Sequence, residues 1–307
     1  MAITYPPAPP TLSGDVESIN RFLQSQTLLT RRLRTLLENR FISDSLLTGR
    51  YTLQGGAVLF EQSESIYADR AVEQVAPGGE YPLSGVSSGA AAVAAAAKWG
   101  QDAIATDEAI KRLMLDPVTR AILKLVNNLV QKVDQVTLAA IASAVTQTAA
   151  ATAAWAPGTA STNPLYDIAK GVAVIRALNQ GYDPDIVVVD DTTYAKLMNN
   201  TVVLTAMARE DKSNPAYSGA LPGPLAGLRV LVTPNLPTAS TAILLDSTVL
   251  GGMADENLGG PGYTGQVKGV EGKTIRNELN DSWRLRARRV TVPVVIEPAC
   301  GYVITGI

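Results

Sequence analysis

The sequence predicts an α+β protein, and three stretches of the chain carry that prediction. Residues 118–155 contain no glycine or proline, and apolar residues recur there at helical spacing, which predicts one long helix. Residues 163–274 alternate predicted helices with short apolar strands, which is typical of a mixed helix and sheet domain. From Trp283 onward the chain alternates apolar and basic residues, which predicts a return to strand.

Composition excludes several classes of protein and of site. Of the 307 residues, 46% are hydrophobic, which is too apolar for a disordered chain. The formal net charge is -2, which argues against nucleic acid as a dominant ligand. The absence of histidine excludes histidine-dependent catalysis and histidine metal ligands. A single cysteine, Cys300, excludes an intrachain disulfide and a cysteine-rich metal site.

The N-terminus and the charge-free stretches contain no targeting or membrane-spanning pattern. Residues 1–7 lack the basic and apolar regions of a signal peptide. The longest charge-free run, residues 135–166, is too polar for a spanning helix, which needs about 20 mainly apolar residues. We therefore expect a soluble intracellular protein with no membrane partner.

The first hundred residues predict an arm and a hairpin. Residues 1–15 are rich in proline and predict an extended segment, and from Val16 the apolar spacing becomes helical. Residues 51–100 have strand-like ends around a turn-rich middle, which predicts a long two-stranded hairpin with a loose tip. Because an isolated hairpin is marginal in water, we expect it to rest on another body, most simply a neighbouring subunit.

The arginines near the predicted arm leave two interpretations open. Arg31, Arg32, Arg34 and Arg40 lie among the apolar residues of the first helical stretch. A solvated helix face is the favoured interpretation, and an arm that contacts a polyanion is the alternative.

Capping residues set the predicted helix starts in the middle of the chain. Thr106 is placed to cap a short helix that ends at Arg112. Asp116 followed by proline starts the long helix, which would measure about 47 Å if it continued to about Thr148. Residues 163–179 form the next predicted helix, which also starts with proline.

Short strands and a glycine-rich loop complete the predicted elements. Residues 186–189, 228–232 and 242–245 are apolar runs that predict strands. Residues 251–272 are rich in glycine and are interpreted as a flexible loop. In the C-terminal strand the apolar phase slips at Arg289, which predicts a β-bulge.

Sequence motifs that could bind a nucleotide or a metal are all weak. Residues 260–265 have the spacing of a dinucleotide-binding loop, but glycines and a proline surround them where a strand and a helix are required. Residues 272–274 resemble the end of a phosphate-binding loop that lacks its first glycine, because Val267 stands there. Asp190 and Asp191 follow an apolar strand, where capping of the next helix is favoured over metal or nucleotide binding.

No catalytic residue and no cofactor are therefore predicted. Asp255 and Glu256 are interpreted as part of a solvated loop. Arg284, Arg286 and Arg288 project from one face of their strand, where they can contact phosphate or pair with acids across a sheet or an interface, and pairing is favoured.

The order of elements, together with five segments, resembles the major capsid proteins of tailed phages, which have the Hong Kong 97-type fold. The closest likeness is to the capsid proteins of actinobacterial siphophages. The segments that carry the resemblance are residues 64–70, 77–83, 98–102, 106–110 and 281–286.

The resemblance implies a division of the chain. Residues 1–50 would be the N-terminal arm and residues 51–100 the E-loop. Residues 101–160 would form the peripheral domain with its long spine helix, residues 161–274 the axial domain, and residues 275–307 the return to the peripheral domain.

The resemblance also implies the function and the partners. Such proteins assemble into pentamers and hexamers of an icosahedral shell around double-stranded DNA, in the host cytoplasm, with a scaffolding protein, a portal, often a maturation protease and possibly a decoration protein. The expected site residues make contacts between subunits, and the candidates are Arg70, Glu73, Glu80, Tyr81, Trp99, Arg284, Arg286 and Arg288. Some family members link subunits covalently through a lysine of the E-loop, and because no lysine precedes Lys98 here, we predict a non-covalent shell.

Two other functions stay open at the level of sequence. The first is an encapsulin-like bacterial shell that encloses cargo enzymes. The second is a soluble α/β enzyme built around Asp190 and Asp191.

Overall fold

The computed structural model describes residues 23–37, 41–113, 116–156, 161–206 and 224–307. These residues cluster into two compact units. The first unit comprises the described residues within 1–40, 98–130 and 257–290, and the second those within 41–97, 131–256 and 291–307. The predicted extended segment at residues 1–15 lies outside the described residues.

The described chain contains both helices and strands, which follow one another in short runs. The helices are α1 (Gln26–Leu37), α2 (Ser43–Leu46), α3 (Asp107–Leu113), α4 (Asp116–Ala144), α5 (Pro164–Ala177), α6 (Asp191–Met198) and α7 (Thr201–Ala206). The strands are β1 (Gly49–Thr52), β2 (Ala57–Gln62), β3 (Ala90–Ala95), β4 (Ala97–Thr106), β5 (Thr148–Ala150), β6 (Ile186–Val189), β7 (Arg229–Val232), β8 (Thr241–Leu245), β9 (Gly251–Asp255), β10 (Val270–Asn277), β11 (Ser282–Val295) and β12 (Gly301–Thr305).

A five-stranded mixed sheet forms the core of the second unit, with strand order β5-β12-β8-β6-β7. All four residues of β6 are buried, as the fully apolar run predicts for a strand covered on both faces. Helix α5 packs on β12, and Gly171 allows the close approach, since a Cβ there would lie 2.8 Å from Cδ1 of Tyr302.

Side-chain capping is confirmed at two helix starts of this unit. The Asn163 side chain accepts a hydrogen bond from the Tyr166 amide at 3.1 Å, directly before Pro164. Asp190 accepts one from the Thr193 amide at 3.0 Å. Asp190 is therefore the cap of α6, and Asp191 is the first residue of the helix.

The long helix predicted from Asp116 is confirmed as α4, which spans 29 residues or about 44 Å. Its apolar stripe is buried along the helix, including Val118, Ile122, Val126 and Val133. It ends at Ala144 and not near residue 148, because Thr148–Ala150 instead form β5, which pairs in parallel with β12.

In the first unit, helix α1 lies against a strand pair. Strands β10 and β11 pair in antiparallel register from Val270 opposite Arg289 to Asn277 opposite Ser282. Leu33 of α1 contacts β10 at Gly272, where a Cβ would lie 2.7 Å from the leucine Cδ1. Strand β4 also pairs with β11, and Thr106 at its end caps α3 as predicted.

The interpretation of residues 251–272 as a flexible loop is wrong at both ends. Residues 251–255 form the buried strand β9, which pairs in parallel with β1, and residues 270–272 begin β10. The glycines allow close strand approach, since a Cβ at Gly252 would lie 2.4 Å from the carbonyl oxygen of Gly49.

The strand-like start of residues 51–100 is not one continuous strand. It is divided between β1 and β2, because Gly55 and Gly56 form a turn with φ of +79° and +81°. The β-bulge predicted from the phase slip at Arg289 stays a prediction. The slip falls where β11 stops pairing with β10, at residue 289, and begins to pair with β9, at residue 291.

Candidate intersubunit surfaces

A two-stranded hairpin, residues 57–95, belongs to the second unit and lies between β1 and β4 in chain order. Strands β2 and β3 pair from Ala57 opposite Ala95 to Gln62 opposite Ala90. On one face of the ladder, Val58 and Phe60 pack against a small buried cluster of Leu53, Ala254 and Val294. The predicted hairpin is thus present, with a paired stem of six residues on each side.

Five hydrogen bonds anchor the hairpin to its own unit at the end of the stem and just beyond it. Three of them join Gln62 Nε2 to the Val295 carbonyl at 3.0 Å, the Glu64 amide to Glu297 Oε1 at 3.3 Å, and the Ile66 amide to Gln180 Oε1 at 3.1 Å. The other two join the Ser63 amide to the Ile296 carbonyl at 3.0 Å and the Tyr67 hydroxyl to the Asn179 carbonyl at 2.6 Å. The anchored part of the hairpin therefore reaches residue 67.

The tip of the hairpin, residues 68–89, hydrogen-bonds only within itself in the described part of the chain. The Asp69 amide donates to the Gly85 carbonyl at 3.3 Å, and Ser87 Oγ donates to Asp69 Oδ1 at 2.8 Å. The Arg70 guanidinium donates to both carboxylate oxygens of Glu73, at 2.9 and 3.1 Å. No helix or strand is present between β2 and β3, so the tip is held by these few contacts.

Exposed apolar side chains are concentrated on this hairpin. Val72, Leu83 and Tyr81 are exposed by 101%, 88% and 80%. The full set of large apolar side chains that the hairpin exposes is Leu59, Ile66, Tyr67, Val72, Tyr81, Leu83, Val86 and Val93. Because single exposed apolar residues are ordinary and a concentration of them is not, this pattern indicates a surface that binds another protein.

A second surface, in the first unit, is built on the basic face of β11. Arg286 donates from Nε and Nη2 to the two carboxylate oxygens of Asp102 on β4, at 2.7 and 2.8 Å. Arg284 Nη2 lies 3.3 Å from the same carboxylate. The hydrogen bonds from Arg286 lower the pKa of Asp102 below its ordinary value, and the same pairing raises the pKa of Arg286.

An aromatic ring and a second carboxylate complete this surface. Arg288 Nη2 lies 2.6 Å from Glu271, and its guanidinium stacks 3.6 Å from the centre of the Tyr263 ring. Lys273 Nζ lies 5.2 Å from the same ring centre and donates to the Pro261 carbonyl at 2.8 Å.

An open cavity of about 470 Å³, which we name the basic pocket, lies beside these groups. The residues that line the basic pocket are Lys98, Gly100, Gln101, Asp102, Tyr263, Arg286 and Arg288.

Comparison with known protein families gives the chain its family. The model of a family described as phage capsid protein matches residues 90–304, which is more than half of the chain. The chain belongs to the phage capsid protein family. No curated protein shows significant similarity to its sequence.

Solved structures share the fold of this capsid protein at low sequence identity. One from Mycobacterium phage Che8 is 18% identical, with a TM-score of 0.56 over 82% of this chain and 85% of the other. The capsid of cyanophage P-SCSP1u is 15% identical, with a TM-score of 0.60 over 86% and 88%. A virus-like particle from Pyrococcus furiosus is 14% identical, with a TM-score of 0.54 over 89% and 98%.

These findings confirm the predicted tailed-phage capsid family and its Hong Kong 97-type fold. The protein is accordingly structural and not an enzyme, and it is a component of the virion capsid that assembles with copies of itself. The hypothesis of an enzyme built around Asp190 and Asp191 is set aside, since Asp190 serves as a helix cap.

Seven of the eight predicted contact residues lie on the two surfaces described above, and Trp99 lies on neither. Arg70, Glu73, Glu80 and Tyr81 are on the tip of the hairpin, and all four are exposed. Trp99 is half-buried on β4. Arg284, Arg286 and Arg288 of β11 pair with acids within the chain, as favoured from the sequence, and their contacts with another subunit stay a prediction.

Sequence reasoning missed the acids and the ring that organise the basic pocket. Asp102 falls within residues 101–160, which the sequence places in the peripheral domain without a role for that carboxylate, and Tyr263 falls within the stretch interpreted as a flexible loop. The alternation of arginines after Trp283 signals that a partner strand must supply carboxylates, but it does not say which strand.

The weak motifs of the capsid protein do not form sites. Residues 260–265 lead into strand β10 and not into a helix, and residues 272–274 lie within that strand, so neither has the helix that a phosphate site requires. Among the described residues, no three or more metal-ligating side chains lie close enough together to hold a metal ion. No helix in the same part of the chain is long and apolar enough to cross a membrane.

Proposed function

We propose that this capsid protein is the subunit of an icosahedral shell of pentamers and hexamers that encloses double-stranded DNA. The observation that carries the proposal is the hairpin at residues 57–95, whose tip bonds only within itself while its large apolar side chains are exposed. Such a tip is stabilised when it lies on another copy of the chain, which is what a closed shell supplies at every position.

Modest contacts of this kind suffice for a shell. A standard interface buries about 1,600 Å² in total, and apolar burial contributes about 25 cal/mol per Å² before the costs of association. Each subunit of a closed shell makes several contacts, so individually weak contacts add up to a stable particle. The formal charge of -2 suits a DNA container, since a strongly basic wall would bind the genome tightly.

The proposed roles of the segments follow the family. Residues 1–50 act as the N-terminal arm and residues 51–100 as the E-loop. Residues 101–160 and 275–307 form the peripheral domain, which includes α4 as the spine helix, and residues 161–274 form the axial domain at the centre of each pentamer or hexamer.

Assembly then takes place in the host cytoplasm with further partners. A scaffolding protein, a portal and a maturation protease are the partners we propose, and a decoration protein is an optional addition.

Size-exclusion chromatography and negative-stain imaging of the expressed full-length chain test the proposal. Particles of megadalton mass with five- and six-fold clusters of subunits are the expected result. A monodisperse species near 32.3 kDa at high protein concentration would contradict the proposal. Nuclease-protected double-stranded DNA in particles from infected cells tests the contents.

An encapsulin-like shell is the second candidate, favoured by the fold that the chain shares with the virus-like particle from Pyrococcus furiosus. Both candidates give particles, so their contents separate them. Protein cargo without protected DNA favours the encapsulin-like shell, and protected DNA without protein cargo favours the phage capsid.

The shell is expected to be held without covalent links between subunits. No lysine lies between Met1 and Lys98, so the hairpin has no amine for an isopeptide bond. Denaturing gels of mature particles are expected to show a band at 32.3 kDa, or below it after proteolytic maturation. Ladders of higher mass that persist under reducing conditions would contradict this prediction.

A further inference from the structure

We infer that the basic pocket of one subunit receives the acidic tip of the hairpin of a second copy of this chain. The inference rests on the proposed function and adds to it the surface on which the hairpin lies. Three observations support it. They are the opposite charges of the two surfaces, the absence of ion pairs at Lys98 and Glu80 among the described residues, and the size of the pocket.

The two surfaces have opposite charges, although the whole chain is nearly neutral. The tip of the hairpin, residues 68–89, contains three carboxylates and one guanidinium, a formal charge of -2. The basic pocket and its rim contain five cations and two carboxylates, a formal charge of +3. These residues are Lys98, Arg284, Arg286, Arg288, Lys273, Asp102 and Glu271. Opposite potentials of this kind steer encounter and set which surfaces meet.

The internal ion pairs of the pocket leave positive charge uncompensated. Arg284 and Arg286 share the single carboxylate of Asp102, and their side chains are 44% and 36% exposed. Lys98 is exposed and has no ion pair among the described residues. A surface that covered this pocket with apolar groups alone would bury Lys98 without a partner and leave two arginines with one shared carboxylate, which is costly, so a partner surface that carries carboxylates is favoured.

The tip of the hairpin carries a matching set of groups. Glu80 is exposed and has no ion pair within the described chain, and Tyr81 beside it is 80% exposed. The pocket presents arginine donors already fixed by Asp102 and Glu271, together with the Tyr263 ring. Fixed donors lower the conformational cost of binding an acid, and an aromatic ring suits a neighbouring tyrosine.

The size of the pocket agrees with side chains as its occupant. A cavity of about 470 Å³ lies within the range of sites that hold a small ligand, which is about 300–1,000 Å³. It is thus large enough for the side chains of Glu80 and Tyr81 of the second copy.

Charge reversal on each surface tests the inference with the full-length chain. The variants are Glu80→Lys, Lys98→Glu and the double variant, and Lys170→Glu is the control. Lys170 is an exposed lysine on α5, far from the pocket in sequence and also without an ion pair among the described residues. Assembly is measured as the lowest protein concentration that gives particles in size-exclusion chromatography and negative-stain images, at about 50 and 500 mM salt.

We expect each single reversal to raise that concentration about tenfold, which corresponds to about 1.4 kcal/mol. The double variant restores assembly to near the wild-type value, because every copy then carries both reversed surfaces. The two charges need not touch for this rescue, since exposed charges interact within a Debye length of about 8–10 Å. The effect of the single reversals shrinks at high salt, and Lys170→Glu assembles like the wild type.

Three results would overturn the inference while the proposed function stands. These are wild-type particles together with single variants that assemble normally, a double variant that assembles no better than the singles, or a Lys98→Glu variant that loses only its protected DNA. The last result would assign the pocket to the nucleic acid. If the wild-type chain gives no particles, the proposed function itself fails, so the two failures are distinguishable.

Discussion

A buried carboxylate in the second unit allows a prediction with a magnitude. Asp167 on α5 is 4% exposed and accepts three hydrogen bonds. Thr152 donates from its amide at 3.1 Å and from Oγ1 at 2.6 Å to Oδ1, and the fully buried Trp155 donates from Nε1 at 2.9 Å to Oδ2. These bonds hold the segment after β5 against the helix.

Asp167→Asn is expected to lower the free energy of unfolding by about 2–3 kcal/mol. The amide oxygen can take the place of Oδ1 and keep the Thr152 donors. The amide NH₂ group then faces the indole N–H of Trp155, so one charge-assisted bond is lost and a buried donor has no acceptor. The matched control is Asp183→Asn, whose carboxylate is 76% exposed in its ion pair and should cost no more than about 1 kcal/mol.

Equilibrium urea unfolding of the purified chain at one fixed protein concentration measures both changes, with circular dichroism as the signal. Adding Trp155→Phe removes the indole N–H that lacks an acceptor. The double variant should therefore lose about 1 kcal/mol less unfolding free energy than the sum of the two single losses. The reasoning is refuted if Asp167→Asn costs no more than Asp183→Asn, or if the two losses at 155 and 167 simply add.

Three further predictions concern strand approach, thiol reactivity and acid stability. Gly252→Ala forces a Cβ to within 2.4 Å of a backbone oxygen on β1 and should cost more than about 2 kcal/mol in urea unfolding. Gly265→Ala, which meets nothing within 4 Å, should change stability by less than about 0.5 kcal/mol, and equal losses would contradict the steric argument. Burial raises the pKa of Cys300 to about 12, so maleimide should label the chain at pH 7.5 only after unfolding, and rapid labelling of the native protein would contradict this. The hydrogen bonds from Arg286 lower the pKa of Asp102, so its stabilisation is present above about pH 3.8 and is lost as pH falls through the lowered pKa. Asp102→Asn should therefore flatten the loss of stability between pH 5 and 2, and an unchanged pH profile would contradict the pairing.

Elements specified by local sequence were predicted well. The apolar stripe from Val118 predicts α4, since a helical period is visible within a single segment. Asn163 and Thr106 mark helix starts because a cap needs only a side-chain acceptor a few residues before the amide that it binds. The buried strand β6 is evident from four consecutive β-branched residues.

Features that depend on long-range pairing were not predicted. The glycines at 251 and 252 look like loop residues in sequence, yet they permit the close pairing of β9 with β1, about 200 residues earlier in the chain. The basic pocket likewise requires β4 to pair with β11, and nothing within either strand specifies that partner. Composition shows where glycines occur, but only the register between distant strands shows which close contacts those glycines allow.

The hairpin is the place where local and tertiary rules disagree, and the disagreement has a physical meaning. In sequence, residues 63–89 contain turn-forming residues, which are typical of a loop, together with valine, leucine and tyrosine, which are typical of a core segment. In the fold, the same side chains contact little of their own subunit, so no intramolecular packing explains their apolar character. Sequences agree with their own fold at most positions and depart from it where function imposes a second requirement. For a subunit of a capsid, we propose that this second requirement is the surface of another copy, and charge reversal on the acidic tip and on the basic pocket tests that proposal.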